Sequence, residues 1–294
     1  ADAVSKWIAE AAKWMERKHA PTLNLIYLPH LDYNLQRLGP TYPGIASDLR
    51  RIDAIVGDLI DFFEKQSVQV VVLSEYGISA VDTPIHLNRL FRERGWLTMK
   101  EELGLELLDC GASRAFAVAD HQVAHVYVND ASITHEVRAL LERQSGVAEV
   151  WGEAEKLQHG MNHPRAGDLI AVAKDRAWFT YYYWLEDARA PDFARTVDIH
   201  RKPGYDPVEL FLDPKIPLVK AKIAWRLLQK KLGFRMLMDV ISLDASLVKG
   251  SHGAKPADER EWPVIITTAK ESLPSGALAA TDVFQLLKKI CSGR

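Results

Sequence analysis

The sequence predicts an α/β fold: a mostly parallel sheet flanked by helices, with an inserted α+β cap. The apolar runs at residues 23–28 and 68–73 have the length and composition of buried strands. Residues 46–65 lie between them and carry apolar side chains at helical spacing, so the three segments predict a right-handed crossover in a parallel sheet. From about residue 110 to residue 173 the strands become shorter and more alternating, which indicates the α+β insertion.

The remaining elements follow from the same periodicities. Residues 4–17 and 84–94 have the spacing of helices, and residues 95–97 begin a further strand. We also predict strands at 114–119, 123–128, 148–151 and 241–248, a hairpin of 167–173 and 177–184 around 174–176, and helices at 132–142, 218–232 and 281–290, the last with Thr281 as N-cap.

These patterns divide the chain into three parts. Residues 1–109 are predicted to form the first part of the core, residues 110–197 the cap insertion, and residues 198–294 the second part of the core. The segment 201–207 contains two prolines and a glycine, and we expect it to return the chain from the cap to the core.

Composition narrows the class of protein. The chain has 294 residues, of which 48% are hydrophobic and 26% charged, as in ordinary soluble globular proteins. The net charge of -2 predicts no general attraction to nucleic acid or to an anionic membrane. The sequence has no apolar run long enough for a transmembrane helix and no signal peptide, so we expect a cytoplasmic protein.

Three predicted strands are each followed by a side chain that can bind a metal ion. Asp32 follows the first, Glu75 follows the second within Ser-Glu-Tyr-Gly, and His252 follows the strand at 241–248 within Gly-Ser-His-Gly. In open α/β sheets ligands bind in the crevice outside the carboxyl ends of the strands. The sequence therefore predicts one polar site assembled from distant parts of the chain.

The order and spacing of these motifs resemble the alkaline phosphatase superfamily, and within it the type I phosphodiesterase/nucleotide pyrophosphatase family. The family motifs read Asp-x-x-x-His-x-x-Gly-Pro, Ser-Asp-His-Gly and Gly-x-His-Gly. Here the first has Gln36 in place of His, the second has Glu75-Tyr76 in place of Asp-His, and His252 of the third is unchanged. The resemblance runs from about Pro21 to the C-terminus, and it implies an alkaline phosphatase-like core with a cap between the second and third motifs.

The resemblance implies two divalent metal ions. Asp32 and His252 would hold one, with Gln36 near it, and Glu75, with or without Tyr76, would share the other with residues upstream of this chain. Oxygen ligands dominate this set, and a Gln amide is a weak ligand that suits Mn or Mg better than Zn, so we favour Mn or Mg. Tyr76 is a poor ligand while its phenol is protonated. The alternatives are a helix cap or turn for Asp32, and hydrogen bonding inside a remodelled pocket for Gln36 and Tyr76.

The family mechanism also needs a Thr or Ser nucleophile at a helix N-terminus, upstream of the first motif. No residue here matches that motif: Ser5 is more simply a helix N-cap, and Ser74 braces its loop. We therefore expect a truncated, C-terminal part of a longer protein, whose partner is the missing N-terminal part. This chain alone should show little or no turnover.

Further polar clusters have two interpretations each. His200, Arg201 and Lys202 either contact a substrate phosphate or form a surface turn. His121 and His125 would share one face of a helix, but the valines around them favour a strand with a structural or substrate-contacting role. His159 and His163 either touch a leaving group or lie in a solvated loop. The aromatic run 178–184 either packs in the core or stacks a nucleobase. The Lys-rich helix at 220–231 is most simply a solvated face.

The function that the resemblance implies for the intact protein is a metal-dependent phosphodiesterase/nucleotide pyrophosphatase-like hydrolase acting on small-molecule phosphate esters. The alternative is a non-catalytic relative that binds a phosphorylated metabolite or a partner, which the loss of two family His residues favours. A third, weaker interpretation keeps catalysis but moves it to other phosphorus or sulfur esters, or to phosphonates. Fold does not decide among these three.

Overall fold

The computed structural model describes residues 2–274 and 276–292, and it confirms the α/β class. The helices of these residues are α1 (Asp2–His19), α2 (Asp32–Leu38), α3 (Ile45–Glu64), α4 (Leu87–Glu93), α5 (Thr134–Glu142), α6 (Glu153–Gln158), α7 (Val219–Lys231) and α8 (Val283–Ser292). The strands are β1 (Val71–Leu73), β2 (Ser79–Ile85), β3 (Met99–Glu102), β4 (Leu105–Leu108), β5 (Ala115–Asp120), β6 (Val123–Val128), β7 (Val147–Trp151), β8 (Leu169–Ala173), β9 (Arg176–Phe179), β10 (Gly250–Ser251) and β11 (Ile265–Thr267).

The described residues form two compact units. Unit 1 comprises residues 1–35, 41–78 and 258–294, and unit 2 comprises residues 36–40 and 79–257. These two units do not test the predicted three-part division into core and cap, which stays a prediction. No helix within residues 2–274 and 276–292 has the length and hydrophobicity needed to cross a membrane.

Unit 1 is built on the amphipathic helices α1 and α3. Their facing apolar side chains form a small core, because residues at i, i+3 and i+4 share one face of a helix. Strand β1 pairs with β11 in antiparallel register, with Val71 opposite Thr267. The core residues are Ala9, Ile55, Leu59 and Phe63.

The prediction of a buried strand at residues 23–28 is wrong. These residues form no strand, although all of them are described. Leu25 is 78% exposed and Tyr27 is 62% exposed. An apolar run becomes a buried strand only where another strand supplies backbone partners and a packed layer covers its side chains. This run has no strand partner, and of its side chains Ile26 and Leu28 are partly buried against the core of unit 1.

Unit 2 contains most of the hydrophobic core. Its largest sheet has four antiparallel strands in the order β5-β6-β8-β7, and α5 packs against β7. Strands β3 and β4 form an antiparallel pair, while β2 pairs with β10 on one side and β9 on the other. Among the described strands, the pairing of β2 with β9 is parallel and the other pairings are antiparallel. Parallel character is thus present in one pair of strands.

The predicted hairpin around residues 174–176 is also wrong. Strand β8 pairs with β6 and β7, whereas β9 leaves that sheet and pairs with β2. Arg176 has a φ of 67°, which turns the chain between the two sheets. The strand predicted at 241–248 is replaced by an isolated bridge at Ile241, a 3-10 turn at Ala245–Leu247 and the short β10.

The aromatic run at residues 178–184 lies in the core of unit 2. Its six aromatic side chains are at most 1% exposed, and the four rings of residues 181–184 make T-shaped and tilted contacts with one another. This burial supports the core interpretation of the run over base stacking. The six residues are Trp178, Phe179, Tyr181, Tyr182, Tyr183 and Trp184.

Candidate functional site

The structure joins the first and second motifs within unit 1. Asp32 is the first residue of α2, and Tyr76 follows the end of β1 by three residues. The Tyr76 hydroxyl donates a hydrogen bond to Oδ1 of Asp32 at 3.0 Å. Two of the five residues predicted as metal ligands are therefore in direct contact.

The loop of the second motif is held by its first and last residues. The Ser74 hydroxyl accepts a hydrogen bond from the backbone N–H of Val264 at 2.8 Å, which is the bracing role expected for it. Gly77 packs directly against backbone, since a Cβ at this position would lie 1.6 Å from the carbonyl oxygen of Glu261. Only glycine permits this close approach of two backbone segments. The packing at Gly77 therefore fixes the backbone position of the preceding residue, Tyr76.

Burial and charge keep the phenols around Asp32 protonated. Burial and the neighbouring Asp32 carboxylate raise the pKa of Tyr76 far above its ordinary value of 10. The same two causes raise the pKa of Tyr27. Tyr76 is therefore a neutral hydrogen-bond donor and not a phenolate ligand. Hydrogen bonding was the alternative interpretation of Tyr76. Glu75, next to it, is exposed.

Gln36 and His252 belong to unit 2. The Gln36 side chain is buried, and its backbone carbonyl accepts a hydrogen bond from the Lys249 N–H at 2.9 Å. Burial, and then the neighbouring His121, lower the pKa of His252 to about 3. At neutral pH His252 is thus an uncharged imidazole, the form in which histidine binds metals.

His121 is the neighbour of His252 that the sequence did not reveal. The two ring centroids are 3.8 Å apart. Nδ1 of His121 lies 2.6 Å from Oδ1 of Asp120, and the His121 ring also stacks on Tyr205 with centroids 4.3 Å apart. The sequence pattern pairs His121 with His125, but His125 lies in β6 and accepts a hydrogen bond from the Gly167 N–H. The available signal was Asp120-His121 within the three residues, 120–122, that separate the two predicted strands.

The residues predicted to contact a phosphate have different environments. His200 is exposed. Arg201 donates a hydrogen bond to Asp192 at 2.8 Å, and its guanidinium lies over the ring of Phe193. The Lys202 side chain is only 1% exposed.

The Lys202 ammonium is engaged by two buried carboxylates. Its Nζ lies 3.1 Å from Oδ2 of Asp206 and 2.6 Å from Oε1 of Glu209. The structure thus gives Lys202 the role of a buried counter-ion, and leaves its ammonium no exposed surface for a phosphate.

This buried cluster predicts a pH dependence of stability. Burial, partly offset by Lys202, raises the pKa of Asp206 to about 6 from its ordinary 3.8. The folded state therefore binds this proton more tightly than the unfolded state, and the resulting stability is complete below pH 4 and is lost as the pH rises to 6. We expect the unfolding free energy of the wild type, measured relative to that of Asp206→Asn, to fall by about 2–3 kcal/mol between pH 4 and pH 6. Urea denaturation at pH 4 and pH 7 measures it, and a difference that stays constant or grows with pH would contradict the assignment.

Comparison with known proteins identifies the family. The family model of type I phosphodiesterase / nucleotide pyrophosphatase matches residues 1–206, and the chain belongs to this family. The resemblance seen in the motifs is thereby confirmed. No curated protein matches the chain.

Solved structures of two relatives were compared with the chain. Phosphonoacetate hydrolase from Sinorhizobium meliloti 1021, in complex with phosphonoformate, is 17% identical over 65% of this chain and 45% of its own, with a TM-score of 0.45. Murine ectonucleotide pyrophosphatase / phosphodiesterase 5 is 19% identical over 61% of this chain and 45% of its own, with a TM-score of 0.44. The chain thus spans less than half the length of these two structures.

The predicted metal ligands fit a divalent cation only in part. Asp32 and Glu75 offer the carboxylate oxygens that hard cations prefer, and His252 offers a neutral imidazole. Tyr76 does not fit, because its phenol keeps the proton that it shares with Asp32. Within residues 2–274 and 276–292, no three His, Cys, Asp or Glu side chains are grouped as a metal site would require.

Proposed function

We propose that this chain serves in the hydrolysis of phosphodiesters or nucleotide pyrophosphates, as a part that binds a small-molecule phosphate ester and a divalent cation. The observation that carries the proposal is the family match over residues 1–206, which includes both Asp32 and Tyr76. Their hydrogen bond supports it, because two motifs distant in sequence converge as a shared site requires. The nucleophile stays unassigned, since no residue of the sequence matches the family's nucleophile motif.

Two of the predicted ligands in unit 1 remain in the proposal for a cation: Asp32 and Glu75. A divalent cation beside a phosphate ester neutralises charge that develops on the phosphoryl oxygens. Tyr76 would hold its proton throughout and donate a hydrogen bond, which keeps the Asp32 carboxylate in one orientation. The oxygen-rich set favours Mn or Mg over Zn for these residues.

Metal analysis of the dialysed chain tests the role of Asp32. After incubation with Mn²⁺, we expect elemental analysis to find bound Mn in wild type and an affinity at least about tenfold lower in Asp32→Ala, since a charged ligand is lost. Asp53→Ala is the matched control, because Asp53 is an exposed carboxylate on α3. Equal Mn in wild type and Asp32→Ala, or none in either, would remove Asp32 from the proposal.

A second candidate function is a non-catalytic relative that binds a phosphorylated metabolite. The observation that favours it is Tyr76, a protonated phenol at the position of a family His, which donates to Asp32. Equilibrium dialysis with bis(4-nitrophenyl) phosphate separates the two. Binding that strengthens with Mn²⁺ supports the hydrolase, and binding that is indifferent to metal supports the non-catalytic relative.

A further inference from the structure

We infer that a polar cavity within unit 2 binds a small hydroxylated phosphate ester, whose phosphate is held by Arg89, Lys215 and the hydroxyl of Tyr182. The cavity has a volume of about 450 Å³, which suits a small molecule, and none of the residues predicted as metal ligands lines it. The inference rests on the proposed function for the choice of phosphate as the anion, and it adds the groups that recognise this anion.

The walls of this cavity come from segments that are far apart in the sequence. His86 precedes α4 and Arg89 lies in it, Tyr182 follows β9, and residues 242–246 lie before β10. The His86 ring stacks on the Tyr182 ring with centroids 5.6 Å apart, and the Arg89 guanidinium lies 5.6 Å from the centroid of the same Tyr182 ring. These packed rings hold Arg89 in position at the cavity.

Arg89 and Lys215 keep hydrogen-bond donors for a ligand. Nε of Arg89 donates to the Trp184 carbonyl at 2.7 Å, while its Nη2 lies 3.7 Å from Oδ1 of Asp187, beyond hydrogen-bond distance. The two terminal nitrogens of Arg89 therefore retain the fork of donors that binds two phosphate oxygens at once. Lys215 is exposed, and its ammonium forms no ion pair with the part of the chain that the structure describes.

The three aspartates of the cavity determine which parts of a ligand they can receive. Both oxygens of Asp213 accept hydrogen bonds, one from the Lys215 N–H at 2.9 Å and one from Arg195 at 3.2 Å. Asp187 and Asp244 are exposed, so water weakens the repulsion of an anion, and their remaining lone pairs can accept hydroxyl groups. The exposed carboxylates thus suit the hydroxyl groups of the ligand, and the cations are left for its phosphate.

The Tyr182 hydroxyl is a buried donor that lacks an acceptor. Tyr182 is 1% exposed, and its hydroxyl has no hydrogen-bond partner among residues 2–274 and 276–292. Burial, and then the charges of Asp206 and Asp187, raise the pKa of Tyr182 well above its ordinary value of 10, so the hydroxyl keeps its proton. A buried donor that stays unsatisfied costs free energy. A phosphate oxygen beside Arg89 would supply the acceptor.

Phosphate binding by the full chain in the presence of EDTA tests the inference, because EDTA excludes binding through a divalent cation. We expect isothermal titration calorimetry to show one inorganic phosphate bound, and glycerol phosphate to bind more tightly through its hydroxyl groups. Tyr182→Phe should weaken phosphate binding at least about tenfold without lowering the free energy of unfolding, since the hydroxyl has no partner within the protein to lose. Tyr181→Phe is the matched control: Tyr181 is also buried with an unpartnered hydroxyl, but it does not line the cavity.

A second pair of variants tests the charge. Lys215→Met should weaken phosphate binding about threefold, because an exposed cation contributes modestly to an ion pair. Lys220→Met should leave the affinity unchanged, since Lys220 is exposed on α7 and does not line the cavity.

Two results would overturn the inference. One is the absence of phosphate binding to the wild type in EDTA. The other is equal phosphate affinity in the wild type and Tyr182→Phe; if circular dichroism shows that this variant does not fold, equal affinity in the wild type and Lys215→Met decides instead. The Mn²⁺ test of Asp32 is separate, so its failure leaves phosphate binding in EDTA standing, and the reverse also holds.

Discussion

Replacing Lys202 by methionine is expected to lower the free energy of unfolding by about 3–5 kcal/mol. The substitution keeps the length of the side chain and removes its charge. Asp206 and Glu209 would then face each other without a counter-ion, although their side chains are only 1% and 8% exposed. Breaking a buried ion pair from one side costs more than the pair contributes, because the remaining charge stays desolvated.

Urea denaturation of Lys202→Met beside Lys220→Met measures this effect. Lys220 is exposed on α7, so its replacement should change the unfolding free energy by less than about 0.5 kcal/mol. Adding Asp206→Asn and Glu209→Gln to Lys202→Met should recover part of the loss, because both carboxylates become neutral. A loss below about 1 kcal/mol for Lys202→Met would show that water solvates the cluster.

Trp178→Ala is expected to cost about 3–5 kcal/mol of unfolding free energy. Trp178 has no exposed surface and stands opposite Pro84 in the parallel pair of β2 and β9. Truncation therefore removes a large buried side chain and leaves a cavity that the surrounding core fills only partly. Thermal and urea unfolding of the purified variant provide the measurement.

The matched variant for this prediction is Trp225→Ala. Trp225 lies on α7 and is 57% exposed, so its truncation creates no cavity. We expect a change within about 0.5 kcal/mol. Equal losses for the two tryptophans would mean that Trp178 does not pack in the core as described.

Helices were predictable wherever one apolar face repeats over several turns. Such repeats correctly indicated α1 and α3, and the alternation of β5 and β6 indicated both strands nearly to their ends. The prediction of a hairpin at 174–176 was wrong because it assumed that this short connection joins two paired strands, as short connections normally do. The partner of β9 lies far back in the sequence, and only tertiary packing selects it.

The candidate site was predictable to the extent that its motifs are local. Asp32 and Tyr76 could be expected at one polar site because each belongs to a short motif with a family counterpart, but their direct hydrogen bond was not predicted. The protonation of Tyr76 could not be predicted, since it depends on burial and on the charge of Asp32. His121 was missed for the same reason: its neighbour His252 is distant in sequence, and an orphaned nitrogen is a property of packing.

The parallel pairing of β2 with β9 has a consequence for how the chain reaches this fold. It joins Ile85 to Phe179, and closing a flexible loop of that length costs about 4 kcal/mol of chain entropy beyond a constant. The strands β5 to β8 lie inside the loop and pair mostly with neighbours in sequence, so they can form before closure and shorten the distance to be closed. Because loop entropy grows only with the logarithm of length, insertions in the connections between these strands should be tolerated at a cost of tenths of a kcal/mol.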